Sequence, residues 1–519
     1  MAELYIDISK DEWTKISTAR ISNQRQIEAR SLRNMKFSFP LELKGMSYNN
    51  PNIFVENIEF IDCVFENPIE IGDYLCAGNL LFRGCTFEAG VAIESMTNVG
   101  FYSSCIFRSD FTIARLPLDT TIADIYVGGE LRISGINGGK LIIKNVKGYS
   151  SLSKQKLTLA VQCKSIEIRD CTFEVIQFVG TSRIGKNIIV ADSKIRNIDI
   201  FSVESATQFS VFNCEFGSFI CKSANQIEGY LFLRDNNVTE EVVLSMASFK
   251  SIGIKKNIIK KVEFVDVDKK DSTVEISNLL ADEILFNNIF IEGKFTLRQV
   301  AITRNGRLTM HSSNLGKTDF LLCDFENAIL DFHNSKLTEV FLAETEFPKV
   351  VELNGERNHR QAQLAFGQIS TAFQKQGDTV RSLEYQSREI EAHYRQLKCG
   401  FTKISLWLNK WSNDFGRKWQ RAVLFSLIAG LLFFYLVVIS SNEYEFGFGL
   451  TYDSQIIPSY FRFINPLRFF ELESIFKVNQ KESYLTLNGW SYFFDLCGRI
   501  FVAYGFYQTI QAFRKYGRK

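Results

Sequence analysis

Eleven cysteines and four histidines are the residues of this 519-residue sequence best suited to bind a metal, carry electrons or attack a substrate. Their spacing argues against all three. No two cysteines stand as C-x-x-C, and no cysteine–histidine group has the spacing of a zinc site. An odd number of thiols is poor material for a disulfide framework. The start, MAELYIDISKDEW, is acidic and lacks the basic-then-apolar order of a signal peptide. His311 and His333 fall in strand-like sequence, His359 and His393 in helix-like sequence, and none sits in a motif with a nucleophile or a ligand set. Carboxylates are numerous but scattered and read as solvated outer faces. The expectation is therefore a non-enzymatic chain with no catalytic residue, no cofactor and no metal. Lys and Arg number 60 against 58 Asp and Glu, so no global field favours nucleic acid.

The cysteines need another explanation, and a recurring phrase supplies one. IEFIDCVF places Phe60, Cys63 and Phe65, and LLFRGCTF places Phe82, Cys85 and Phe87. Phe101, Cys105 and Phe107 repeat the phrase, as do Ile168, Cys171 and Phe173, then Phe212, Cys214 and Phe216. ILFNNIF carries the idea on with Phe286 and Phe290. Each phrase alternates apolar residues in the manner of a short strand bounded by Asn, Asp, Gly or Ser. Such a strand buries its apolar side only by stacking on copies of itself, which is the logic of a solenoid. The 22 residues from Cys63 to Cys85 and the 20 to Cys105 fit one coil each. Small Cys and Asn suit an inward turn, where they satisfy neighbouring backbone groups, so the thiols read as packing. The 47 Phe and only 7 Pro fit an internal stack.

Near the end of the region the period tightens to five. One track runs Phe320, Phe325, Leu330, Ser335 and Val340; a second runs Leu322, Asn327, Phe332, Leu337, Leu342 and Phe347. These residues resemble the pentapeptide-repeat family, which implies a right-handed quadrilateral β-helix for about thirty residues. The remainder fits the looser β-helix pattern. The expected fold is mainly β: a right-handed β-helix over 51–350, preceded by an N-terminal cap over 1–50 and followed by a helical connector over 351–400. Within the connector, Gln376-Gly377-Asp378 reads as a break between two helices, with Gly ending one and Asp capping the next. Its sequence resembles the segment that joins β-helical repeats to a membrane region in an uncharacterised group of bacterial membrane proteins.

The remaining 401–519 reads as a membrane domain with two transmembrane helices, about 422–441 and 490–512. The first, AVLFSLIAGLLFFYLVVISS, is uncharged and long enough for a bilayer, with Trp411, Trp419, Arg417, Lys418 and Arg421 before it as an interface signature. The second contains Asp495 and Arg499, four apart on one helical face. Two roles stand open for the pair: tolerated near an interface, or marking a path through the membrane. Gly498 and Gly505 in the same span are candidates for close helix pairing. The segment from Pro458 to Pro466 is aromatic and reads as resting on the membrane surface. Basic residues flank the pair of spans, whereas the loop 442–486 holds 4 Lys/Arg against 6 Asp/Glu. The positive-inside rule then puts both termini in the cytoplasm, at a cell inner membrane.

Expected partners are membrane lipid, a protein on the solenoid and further copies of the chain. The architecture is similar in outline to two-span modules fused to soluble sensors among bacterial antiphage and abortive-infection effectors. That likeness implies a solenoid that senses and a hairpin that perturbs the membrane. The alternative is a membrane-anchored scaffold.

Overall fold

Parallel strands stacked coil upon coil form the first of two units, residues 1–352, and helices form the second, 353–519. A computed structural model of the chain describes residues 6–12, 30–43, 58–72, 79–94, 99–115, 119–136, 138–149, 155–179, 182–200, 203–204, 207–221, 229–245, 249–269, 273–337, 339–351, 356–441, 456–465, 472–476 and 487–517. Much of the loop 442–486 and the final Arg518 and Lys519 lie outside the described residues.

The first unit is the expected parallel, right-handed-type solenoid. Stacking begins before residue 51: Ile6 aligns with Met35, Phe37 with Phe65, and Leu41 with Ile69. One interior ladder runs through most of the unit, from Leu131 to Leu157, Ile176, Ile198, Phe219, Val242, Val262, Ile284, Leu308, Leu330 and Val351. All its members are buried. In the early coils the interior is aromatic. Phe37, Phe65, Phe87 and Phe107 stack with centroids 4.8, 5.0 and 4.7 Å apart. Phe60, Phe82 and Phe101 form a second stack at 5.0 and 5.1 Å, meeting the first edge to face.

The phrase built on cysteine turns out to encode a corner. The residue before the Cys of each phrase, or its equivalent, adopts a left-handed backbone: Asp62, Gly84, Ser104, Asp170, Asp192, Asn213, Asp235, Lys256, Asn278 and Gln299. From Asp170 to Gln299 these corners recur every 21 or 22 residues. Asn, Asp and Gly enter this conformation with the least steric cost. The inward residue that follows ties its corner to the coil beneath. The Cys85 thiol donates to the Phe60 carbonyl and the Cys105 thiol to that of Phe82, each at 3.4 Å. Asn236 Nδ2 donates to the Val211 carbonyl at 2.9 Å, and Thr345 Oγ1 to that of Phe320 at 3.0 Å. In the other direction, Ser193 Oγ accepts from the Cys171 N–H and Asn236 Oδ1 from the Cys214 N–H. Cys, Ser, Thr and Asn are thus alternatives at one position, chosen to satisfy backbone groups that a bend would strand.

Two details of the five-residue reading do not hold. Leu322 occupies a left-handed corner and is 49% exposed, while Cys323 takes the inward place; Asn327 is exposed and Ala328 is inward. Phe290, expected inward by analogy with Phe286, is 48% exposed. The coils here combine short strands with single bridges such as Asn314 to Lys336, without establishing a pentapeptide square.

In the second unit, α1 (Glu356–Lys375) and α2 (Thr379–Gln396) flank Gly377, whose φ is +82°, and Asp378 Oδ1 accepts from the Arg381 N–H at 3.0 Å. The two helices pack through Phe373 on Tyr385 and through Ser370 donating to the Ser382 carbonyl. Then come α3 (Phe401–Asn413), α4 (Trp419–Ser440), α5 (Ile456–Phe463), α6 (Leu472–Ile475) and α7 (Gly489–Gly517). Among the described residues, α4 alone is long and apolar enough to cross a bilayer. The second expected span, α7, has 29 residues but does not reach that apolarity, because Asp495, Arg499 and Gln508 interrupt it.

Candidate functional site

Helices α4 and α7 lie side by side and antiparallel. Trp419 meets Phe513 at one end, Phe425 meets Tyr504 and Phe433 meets Phe501 in the middle, and Ser440 bonds Ser491 at 2.8 Å at the other end. Small residues permit the approach. A β-carbon placed on Gly505 would fall 2.1 Å from Ser426 Oγ, and one on Gly498 would fall 2.9 Å from Phe433 Cβ, both on α4. Both glycines singled out from the sequence therefore stand where a side chain has no room.

The polar residues of the pair face inward. Asp495 is 4% exposed, and its Oδ2 accepts from Arg499 Nε and Nη2, both at 2.9 Å. Asn413 Nδ2 donates to Gln508 Oε1, and Asn413 Oδ1 accepts from the Gly416 N–H, closing the turn between α3 and α4. The outer surface has the opposite character. Leu424, Ile428, Leu431 and Leu432 on α4 are 53–58% exposed, and Leu496, Ile500 and Ile510 on α7 are 58–60% exposed. Large apolar side chains outside and polar ones inside invert the pattern of a water-soluble helical domain.

Helix α5 packs against the midpoint of α4: Tyr460 Oη donates to the Leu427 carbonyl at 2.8 Å, and Phe463 meets Phe434. With α6 it completes a cluster of Phe434, Val437, Phe463, Leu472, Ile475 and Phe476. Helix α3 is amphipathic too, with Trp407 and Trp411 stacked at 6.1 Å and exposed, and with Lys410 paired to Glu391 at 2.8 Å.

The solenoid offers two features of its own. A groove of about 750 Å³ runs over the outer faces of successive coils, lined by Ile189, Ser210, Phe232, Lys255, Glu275 and Ser277. Phe232 is 43% exposed and lies on Tyr230; Gly253 leaves space for its ring. The second feature is a side-chain group that sequence spacing did not reveal. His311 and His333, read as isolated, occupy aligned positions on adjacent coils, with Asp331 between their ring nitrogens. The signal was the coil length itself, since 22 residues separate the two histidines.

Five of the buried thiols are chemically quiet. Burial pushes Cys171 and Cys221 up to about 12, and Cys163, Cys214 and Cys323 up to about 11. Such thiols carry almost no thiolate at neutral pH and have little nucleophilic reactivity. Cys399 is exposed. His359 and His393 are half-buried in α1 and α2; among the described residues, the one grouping with metal-ligand spacing is His311, Asp331 and His333. No family model, curated protein or solved structure matches the chain.

Proposed function

We propose that this chain is a membrane-tethered interaction protein, in which α4 and α7 cross the bilayer as an antiparallel hairpin and the solenoid is a cytoplasmic docking surface. The observation that carries the reading is the inverted polarity of the helix pair: leucines and isoleucines outside, with the Asp495–Arg499 pair, Gln508 and small residues inside. At 22 residues, α4 extends about 33 Å, matching the hydrocarbon core of about 30 Å. Helix α7 joins it because its polar groups are satisfied within the protein rather than presented to lipid, which is the condition for burying them there. The stacked coils provide an elongated surface, and the groove around Phe232 combines an exposed aromatic with Lys255 and Glu275, a composition suited to a protein partner.

The test uses substitutions on the outward face. In membranes washed with alkaline carbonate, the full chain is expected to remain in the pellet. Replacing Leu424, Leu431 and Leu432 together by Lys is expected to release it, since each charge at mid-bilayer costs about 3 kcal/mol. Recovery of the unaltered chain in the soluble fraction would refute the tether.

A second reading, membrane perturbation by assembled hairpins, is favoured by two observations. Helix α5 sits beside the middle of α4, where non-spanning backbone is tolerated when it is enclosed by protein or lines a water-filled cavity. Asp495 and Arg499 lie about 9 and 15 Å along α7 from Gly489, the depth at which ionisable pairs mark a path.

A further inference from the structure

We propose that His311, Asp331 and His333 form a site for a divalent transition-metal ion that clips two successive coils of the solenoid together. The register of the parallel strands makes the group. His311 aligns with His333 and Thr309 with Asp331, so all three side chains emerge on the same outer face within two adjacent coils. Asp331 Oδ2 stands 3.2 Å from His311 Nε2, and Asp331 Oδ1 stands 2.8 Å from His333 Nε2. The imidazole rings are 4.9 Å apart and nearly perpendicular. The potential ligand atoms all lie within 4.8 Å of one another.

A tetrahedral ion with metal–ligand bonds of about 2.1 Å holds its ligands about 3.4 Å apart. The two Asp–His separations, 3.2 and 2.8 Å, fall within about 0.6 Å of that spacing, so side-chain rotation without movement of the strands admits the ion. Both imidazole side chains are 41% exposed and the carboxylate is 21% exposed, which leaves an approach from solvent and room for rotation. Two imidazoles and one carboxylate suit Zn²⁺, Co²⁺ or Ni²⁺ and are poorly matched to Ca²⁺ or Mg²⁺, which prefer oxygen alone. With three protein ligands, one coordination position faces solvent and accepts water or an oxygen or nitrogen donor of a partner. The carboxylate offsets half of the ion's charge while joining one coil to the next.

The simpler arrangement built from the same atoms is a hydrogen-bonded triad that binds nothing, and the measurement separates the two. The full chain in detergent micelles is titrated with Zn²⁺ by equilibrium dialysis and with Co²⁺ by visible absorption. One ion per chain is expected, with ligand-field bands of a nitrogen- and oxygen-bound ion. His311→Gln and His333→Gln should each weaken binding at least about tenfold, and Asp331→Asn by a similar factor, taking outer-sphere losses as a lower bound. Far-UV circular dichroism should stay unchanged, because all three positions are on the outer face. Three results would overturn the site: no stoichiometric uptake, uptake unaltered in both histidine variants, or a thiolate-to-cobalt charge-transfer band that places the ion on cysteine.

Discussion

Replacing Asn257 by Ala is expected to destabilise the solenoid by about 4 kcal/mol. Asn257 follows the left-handed corner at Lys256 and is 1% exposed. Its Oδ1 accepts from the backbone N–H of Asn236 at 2.9 Å and from Asn236 Nδ2 at 3.0 Å, while its Nδ2 donates to the carbonyls of Leu233 and Lys255. Alanine would strand several of these groups in the interior, and each unsatisfied buried group costs about 1–3 kcal/mol. Because coils contact mainly their neighbours, the damage should stay local. Hydrogen exchange is expected to show lost protection in 230–245 and 251–269 with 131–136 unchanged. Exchange accelerated evenly along the solenoid, or not at all, would show that the corner ladder does not work in this way. Lys256→Gly beside it should be neutral or slightly stabilising, since glycine enters the φ of +55° without steric cost.

The second large effect concerns the helix pair. Asp495→Ala should cost about 3–5 kcal/mol, because it leaves the Arg499 charge without the carboxylate that both its Nε and Nη2 bond. Asp495→Ala with Arg499→Leu should recover much of that loss, since an apolar pair of similar volume tolerates the same seam. Thermal unfolding of the detergent-extracted chain, followed by tryptophan fluorescence, would measure all three proteins. A double variant no better than the single one would mean that the two charges are not coupled.

The repeat was legible because its spelling and its geometry coincide. In IEFIDCVF the phenylalanines are the inward strand residues, and Cys63 is the inward residue after the corner at Asp62. The corner conformation itself was hidden. Asp and Asn before the cysteine read as strand boundaries, whereas Lys256, Gln299, Leu322 and Glu344 take the same conformation without any local preference for it. Stacking on the neighbouring coil overrides their propensity, which is why Leu322 misled the five-residue reading. His311 and His333 were missed for a related reason: their separation of 22 residues means proximity only once it is matched to the coil length and register. The break at Gly377-Asp378 is local chemistry and was readable. The role of Asp495 and Arg499 depends on which face of α7 meets α4, and neither length nor composition carries that information.

The position of the native thiol Cys399 tests the tether most directly. It is exposed and stands before α3, on the side of α4 that would face the cytoplasm, while the described thiols of the solenoid are buried. With Cys76 and Cys497 replaced by Ser, a membrane-impermeant maleimide is expected to label Cys399 only after the membrane is opened. A cysteine introduced at Asn442, directly after α4, should be labelled in intact cells. Labelling of Cys399 from outside, or equal labelling of both positions before and after opening, would contradict a hairpin that crosses the bilayer with both termini inside.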